Sequence, residues 1–322
     1  MAMGSPAITV DMRDIPGIHH VTAIGSDPGE NLAFYTETLG LRLVKRSVNQ
    51  DDASVYHLFY GDHSGSPGTS MTFFPYPGAR DGQVGTGQVS TTQFLIPGDA
   101  VEYWVDRLDD ADVDVDEPRE RFGETVLPFE DPDGLPLELV AVEDAPAGDP
   151  PDSPVPEEYA IRGFYGVTLA LSDIDATARV LETMGYEQTD SEGNRVRYES
   201  DGDLGYVVEL LADPDQPQSR PGAGTIHHVA FRVTSDDQAD WREELQSLGL
   251  RPTQIIDRKW FDSVYTRTPG GVLFEYATEG PGYTVDEDLE TLGEQLVLPE
   301  WLEDRREEIE QELPPLSVET NN

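Results

Sequence analysis

Gly17-Ile-His-His-Val-Thr-Ala-Ile24 and Thr225-Ile-His-His-Val-Ala-Phe-Arg-Val233 repeat one pattern in distant parts of the chain. Each is an extended stretch rich in β-branched residues. Each leads into an amphipathic helix stopped by glycine, about 29–39 before Gly40 and about 238–248 before Gly249. Two further segments keep the plan without the histidines. Ser90-Thr-Thr-Gln-Phe-Leu-Ile96 precedes a helix at about 99–108, and Gly163-Phe-Tyr-Gly-Val-Thr-Leu-Ala-Leu171 precedes one at about 174–183 that Gly185 ends. Strand-like runs close the segments: Val55–Tyr60 and Ser70–Phe74, Pro136–Val142, Tyr206–Leu211, and Gly271–Ala277. This repeat predicts an α+β protein of four βαβββ modules. The proline-rich stretch 145–156 is the expected linker, dividing the chain into domains 15–144 (modules one and two) and 157–284 (modules three and four). An acidic tail, 285–322, has helical spacing over Leu298–Leu313 and is expected to pack on the body rather than do chemistry.

The 322 residues include 64 Asp+Glu against 21 Lys+Arg, a formal net charge of −43, and only Lys45 and Lys259 are lysines. Such a charge strains a compact fold in dilute buffer. At molar salt the Debye length shrinks to about 3 Å and the repulsion is screened. The composition therefore reads as a halophilic protein of a salt-loaded cytoplasm. It disfavours nucleic acid and anionic membranes as partners, because phosphate binding requires clustered cations. No apolar run approaches the ~18 residues of a membrane span, and Met1–Asp14 lacks the pattern of a signal peptide. There is no cysteine, so any metal must sit on His, Asp or Glu.

Four of the six histidines lie in the two doublets. Neighbours on a strand face opposite ways. Alternation puts His20 with Thr22, and His228 with Ala230 and Arg232, on the more polar, concave face. It turns His19 and His227 toward the core side, unless a bulge or twist brings them round. Glu275, in the last strand of module four, completes a set of two imidazoles and one carboxylate, which leaves open positions on a six-coordinate metal. The other modules are incomplete: module two has Glu138 but no doublet, and module three has Glu209 but Tyr165-Gly166 at the histidine positions. Module one has the doublet, but Phe73-Phe74 in the glutamate region. One site is therefore expected, built from modules one and four. A single strand histidine is usually structural, which is the reading for His57 and His63. Glu138 and Glu209 read as structural or exposed.

The chain resembles the vicinal oxygen chelate (glyoxalase/extradiol dioxygenase) superfamily, and within it the ring-cleaving dioxygenases of para-hydroquinones. Beyond the two doublet strands, the resemblance is carried by Tyr-His-Leu-Phe-Tyr-Gly-Asp (56–62) and Ser-Pro-Gly-Thr-Ser-Met-Thr-Phe-Phe-Pro (66–75). It continues in Ile-Asp-Arg-Lys-Trp-Phe-Asp-Ser-Val-Tyr (256–265), Pro-Gly-Gly-Val-Leu-Phe-Glu-Tyr-Ala-Thr (269–278) and Leu-Pro-Glu-Trp-Leu-Glu (298–303). It implies Fe(II), less often Mn(II), on His20, His228 and Glu275. It places His19, Thr22, His227, Arg258 and Tyr265 around the substrate. Arg258 would steady a phenolate or an oxygen-derived anion, and Tyr265 and His227 would move protons. The implied reactants are a small dihydroxylated aromatic, hydroquinone or catechol, and O2, and a homo-oligomer is left open. The alternatives are a glyoxalase-like isomerase or transferase and a small-ligand-binding resistance protein without turnover.

Overall fold

A computed structural model of the protein describes residues 13–318. Module one supplies β1 (Ile18–Gly25), α1 (Pro28–Ala33), β2 (Arg42–Asn49), β3 (Asp52–Gly61) and β4 (Ser70–Pro75). Module two supplies β5 (Gln88–Pro97), α2 (Val101–Asp110), β6 (Arg119–Arg121), β7 (Glu124–Glu130) and β8 (Pro136–Val142). Module three contributes β9 (Gly163–Leu171), α3 (Asp175–Thr183), β10 (Glu187–Glu192), β11 (Arg195–Glu199) and β12 (Val207–Ala212). Module four contributes β13 (Thr225–Val233), α4 (Gln238–Ser247), β14 (Ile256–Asp257), β15 (Phe261–Arg267) and β16 (Leu273–Pro281).

The strands form two eight-stranded sheets, ordered β14-β15-β16-β13-β1-β4-β3-β2 and β10-β11-β12-β9-β5-β8-β7-β6. Each sheet thus takes one module from either half of the sequence. It joins them through antiparallel first strands, β1 with β13 and β5 with β9. Residues 15–144 and 157–284 are continuous in sequence, but neither closes a sheet alone. The 145–156 stretch lies packed on module one: Val155 is buried against Gly40, and the Asp149 carbonyl accepts from the His63 backbone N–H at 2.8 Å.

Local chemistry explains the elements. Asp27 caps α1 by accepting from the N–H groups of Gly29 and Glu30, with Pro28 in the first turn. The helix then passes into one π turn, Phe34–Thr38, before Gly40 leaves it at φ 71°. Helix-facing strand residues, such as Val21, Phe94, Leu169 and Phe274, bury against Tyr35, Trp104, Leu181 and Trp241. Each such large side chain contributes roughly 1.5–3 kcal/mol when fully buried. The opposite face of the first sheet holds a smaller apolar cluster that includes Phe59, Trp260, Phe261 and Tyr283.

The tail packs as expected. Leu298, Leu302, Ile309 and Leu313 are buried, and α5 (Arg306–Glu312) follows a 3-10 turn at Glu300–Arg305. Before it, a strap crosses from β16 to β2. Arg42 and Arg46 donate to the carbonyls of Leu289 (2.8 Å) and Glu294 (2.7 Å), and Val297 N–H donates to the Arg46 carbonyl (2.9 Å).

Two stability predictions arise here. Screening of the −43 charge should raise the melting temperature by ~10 °C or more between 0.1 and 3 M KCl. A flat melting temperature across that range would sink the halophilic reading. The second concerns Asp131, which burial pushes up to about 6 although Leu135 and Asp133 N–H groups hydrogen-bond it. Its folded pKa exceeds its unfolded one, so the protonated form stabilises the fold below pH ~4, and that contribution is lost as pH rises through about 6. Asp131→Asn keeps an oxygen for those N–H groups and an amide for Tyr35 Oη, 3.1 Å away in the native chain. The variant is expected to gain stability over the native protein between pH 4 and 6, on the order of 2–3 kcal/mol by pH 7. Denaturant midpoints measured at several pH values check it; parallel curves for the two proteins would refute it.

Candidate metal centre and active site

The site lies on the concave face at the β1–β13 seam. His20 comes from β1, His228 from β13 and Glu275 from β16, where it stands opposite Ala230. His20 Nε2 and His228 Nε2 are 3.2 Å apart, and Glu275 Oε2 is 3.3 and 2.8 Å from them. All three side chains are buried. Ser263 Oγ donates to Glu275 Oε1 at 2.5 Å, but among the described residues Oε2 accepts no aligned hydrogen bond despite the two rings beside it. A buried carboxylate oxygen left without a partner is costly. Three donor atoms within 4.8 Å of one another, one of them such an orphan, fit a divalent metal. Burial would raise the Glu275 carboxyl, but the adjacent His20 and His228 hold it well below the usual range. Burial lowers His228 against the pull of Glu275. The Glu275 carboxylate is thus ionised and the His228 ring neutral, the states that suit a metal.

The histidine doublets depart from simple alternation. Ile18 pairs with Phe231 and His20 with Ala230, so His19 is an extra residue in β1; Thr22 pairs with His228 and Ala23 with Ile226, so His227 is an extra residue in β13. Each first histidine is the inserted residue of a β-bulge, which re-aims its side chain. The expectation that His19 and His227 turn away from the metal face is therefore corrected. His19 Nδ1 lies 3.0 Å from His20 Nδ1, and His227 Nδ1 lies 2.8 Å from His228 Nδ1. Each can orient its neighbour so that Nε2 faces Glu275. Burial and His20 push His19 down to about 3, and desolvation and His228 push His227 down to about 4, although His227 has an edge open to solvent. Both are neutral near pH 7.

Thr22 Oγ1 stands 2.9 Å from His228 Nε2. The Tyr265 ring packs edge-on against His228, and burial, then Glu275, raises its phenol. Arg258 lies over the Tyr265 ring, its Nε 3.4 Å from Tyr265 Oη, and its Nη2 pairs with exposed Asp51 at 3.2 Å. It thus stands beside the site and makes a surface ion pair, the latter worth under about 1 kcal/mol. His63 lies away from the centre: Arg42 donates to its carbonyl. His57 lies nearer to it. It sits on the concave face, its Nε2 3.1 Å from Thr72 Oγ1. Thr72, not Phe73-Phe74, is the counterpart of Glu275 in module one, because it pairs with Thr22 as Glu275 pairs with Ala230. His57 was legible from β3 itself: Tyr56, Leu58 and Tyr60 alternate into the core, leaving His57 and Phe59 on the other face.

The second sheet has the corresponding positions filled differently. Glu138 and Glu209 are buried, not exposed, and the Arg121 guanidinium joins them: Nη1 to Glu138 Oε1 at 2.9 Å, Nε to Glu209 Oε1 at 3.2 Å. Arg195 adds a 2.9 Å contact to Glu209. At Gly166, the counterpart of His228, a Cβ would meet the Val207 carbonyl at 2.2 Å. Cationic side chains occupy the place that corresponds to the His20–His228–Glu275 cluster of the first sheet.

Comparison with known proteins agrees with this fold. The model of the Glyoxalase/Bleomycin resistance protein/Dioxygenase superfamily matches residues 17–139 and 187–276. The chain is 46% identical over 304 residues to "Putative ring-cleaving dioxygenase MhqO" of Bacillus subtilis, covering 94% of this chain and 97% of that protein. It is 37% identical to "Chlorohydroquinone/hydroquinone 1,2-dioxygenase" of Sphingobium indicum, covering 92% and 95% of the two chains. A crystal structure of a "putative dioxygenase" from Bacillus subtilis superposes with a TM-score of 0.92 at 44% identity, covering 96% of this chain and 100% of that one. Glyoxalase I from Zea mays, 17% identical with a TM-score of 0.62 over 82% of this chain and 92% of that one, shares the fold. The chain belongs to the Glyoxalase/Bleomycin resistance protein/Dioxygenase superfamily, the vicinal oxygen chelate fold, among its ring-cleaving dioxygenases.

Proposed function

We propose that the protein is an Fe(II)-dependent dioxygenase, with Mn(II) as the alternative metal, that opens the ring of a hydroquinone-type dihydroxylated aromatic using O2. The observation that carries this reading is the buried His20–His228–Glu275 cluster with its unpartnered carboxylate oxygen. These three residues would hold the metal, which would supply Lewis acidity toward a phenolic oxygen and redox chemistry with O2. Phe59, Phe74 and Phe261 supply aromatic surface next to the polar groups. Neutral His227 accepts a proton from the phenol, and Tyr265 donates a hydrogen bond to the substrate oxygen. Arg258, fixed over Tyr265, sets a permanent positive charge where negative charge develops on the ring. His19 and Thr22 position the ligands and the substrate edge. The name of the Sphingobium relative supports hydroquinone as the first substrate to try.

Oxygen uptake by anaerobically Fe(II)-loaded protein, challenged with hydroquinone, catechol and phenol, tests the reading. One O2 consumed per ring opened is expected, with hydroquinone the fastest. Conversion of a hemithioacetal without oxygen uptake would replace it with a glyoxalase-like activity. Tight ligand binding with no consumption of oxygen would replace it with sequestration.

A further inference from the structure

Beside the triad, the wall made by β3 and β4 carries two polar side chains, His57 and Thr72, that the chemistry above leaves unused. Phe59, Thr72, Thr22 and His228 are successive cross-strand neighbours from β3 to β13. His57 shares their face, two residues along β3. Its Nε2 is 3.1 Å from Thr72 Oγ1; Thr72 Oγ1 is 2.8 Å from Thr22 Oγ1, which is 2.9 Å from His228 Nε2. The imidazole is clamped between Phe59 and Phe74, with ring centroids 3.9 and 4.4 Å away, so packing fixes its place. Its other nitrogen has no hydrogen-bond partner among the described residues, and the side chain is only partly buried. Burial first, then His20 and His228, keep the ring neutral, with one donor and one acceptor.

The substrate's shape gives this arrangement a use. A catechol carries its oxygens side by side, and a monophenol has one. A para-dihydroxylated ring with one oxygen at the triad points the other across the ring toward the pocket wall. Against phenyl rings alone that hydroxyl would lose its hydrogen bonds to water without replacement. We propose that His57, held by Thr72, is a substrate-binding residue that hydrogen-bonds the far hydroxyl of a para-dihydroxylated ring and so selects it over catechols and monophenols. The assignment rests on the aromatic-substrate reading above.

Anaerobic calorimetric titration of the Fe(II)-loaded protein with hydroquinone, catechol and phenol reads binding independently of turnover. The wild type is expected to favour hydroquinone. His57→Phe keeps a ring between Phe59 and Phe74 and removes the polar atoms. It should weaken hydroquinone binding roughly ten- to a hundredfold, with phenol affinity and metal content unchanged. Should His57→Phe not fold, Thr72→Val, which removes the hydroxyl that holds the imidazole, carries the test through the hydroquinone-to-phenol affinity ratio. A wild-type ratio in the variant, or equal loss for all three ligands, would overturn the assignment alone. A wild-type protein that binds none of the three would overturn the aromatic-substrate reading and this assignment with it.

Discussion

Glu275→Gln is expected to lose divalent metal on dialysis, with affinity down by more than about a hundredfold, and to lose turnover with it. The amide keeps an oxygen for Ser263 Oγ, 2.5 Å from the native carboxylate. What goes is the negative charge facing His20 and His228. Glu138→Gln is the matched control, since that carboxylate is also buried and occupies the corresponding place in module two. It faces Arg121 at 2.9 Å and Arg119 at 3.0 Å rather than two imidazoles. The control should keep its metal. It should instead lose stability, by about 3–5 kcal/mol, because an arginine is left inside with one partner fewer. Metal analysis and melting curves on the two variants separate these roles. Equal metal loss from both would mean that the metal is not confined to the β1–β13 seam.

The triad was legible because it needs only residue type and alternation, and His20, His228 and Glu275 all sit in regular register. The doublets misled on their first members, since a bulge inserts a residue without leaving a local mark. His19 and His227 look like ordinary strand positions, and only the pairing of β1 with β13 shows that each is supernumerary. Sheet composition was hidden for a related reason. Nothing local says that β1 pairs with β13, more than 200 residues on, and only the incompleteness of modules one and four pointed to it. β10 reads Glu-Gln-Thr-Asp-Ser-Glu, with every side chain exposed, so backbone pairing with β11 alone makes it a strand. β2 was missed because Arg42, Lys45 and Arg46 give it a polar signature. Their partners lie in the strap and tail, far along the chain.

Lys45 is where that distant pairing matters most, and Lys45→Met is expected to destabilise the protein by about 3–5 kcal/mol. The side chain is fully buried on β2. Its ammonium donates to the Tyr283 carbonyl at 2.9 Å and to Asp286 Oδ1 at 2.7 Å, and it contacts Glu287. Asp286 also accepts from Trp260 Nε1 and Lys259 Nζ, each at 3.0 Å, beside β15. One cluster thus ties β2, at one edge of the sheet, through the strap to the β14–β15 turn at the other. Burial would raise Asp286, but Lys45 and Lys259 hold it below the usual carboxylate range. Methionine fills the same space but leaves Asp286 and Glu287 facing each other without the buried cation, in a chain already at −43. A fall in melting temperature of roughly 10 °C follows for a chain of this size. Molar KCl should recover only part of it, because salt screens buried groups poorly. A double variant, Lys45→Met with Asp286→Asn, should lose less than the two single losses added together, because one interaction is removed in both. Strict additivity would show that the ammonium and the carboxylate act independently, and that the strap is held by its backbone contacts to Arg42 and Arg46 instead.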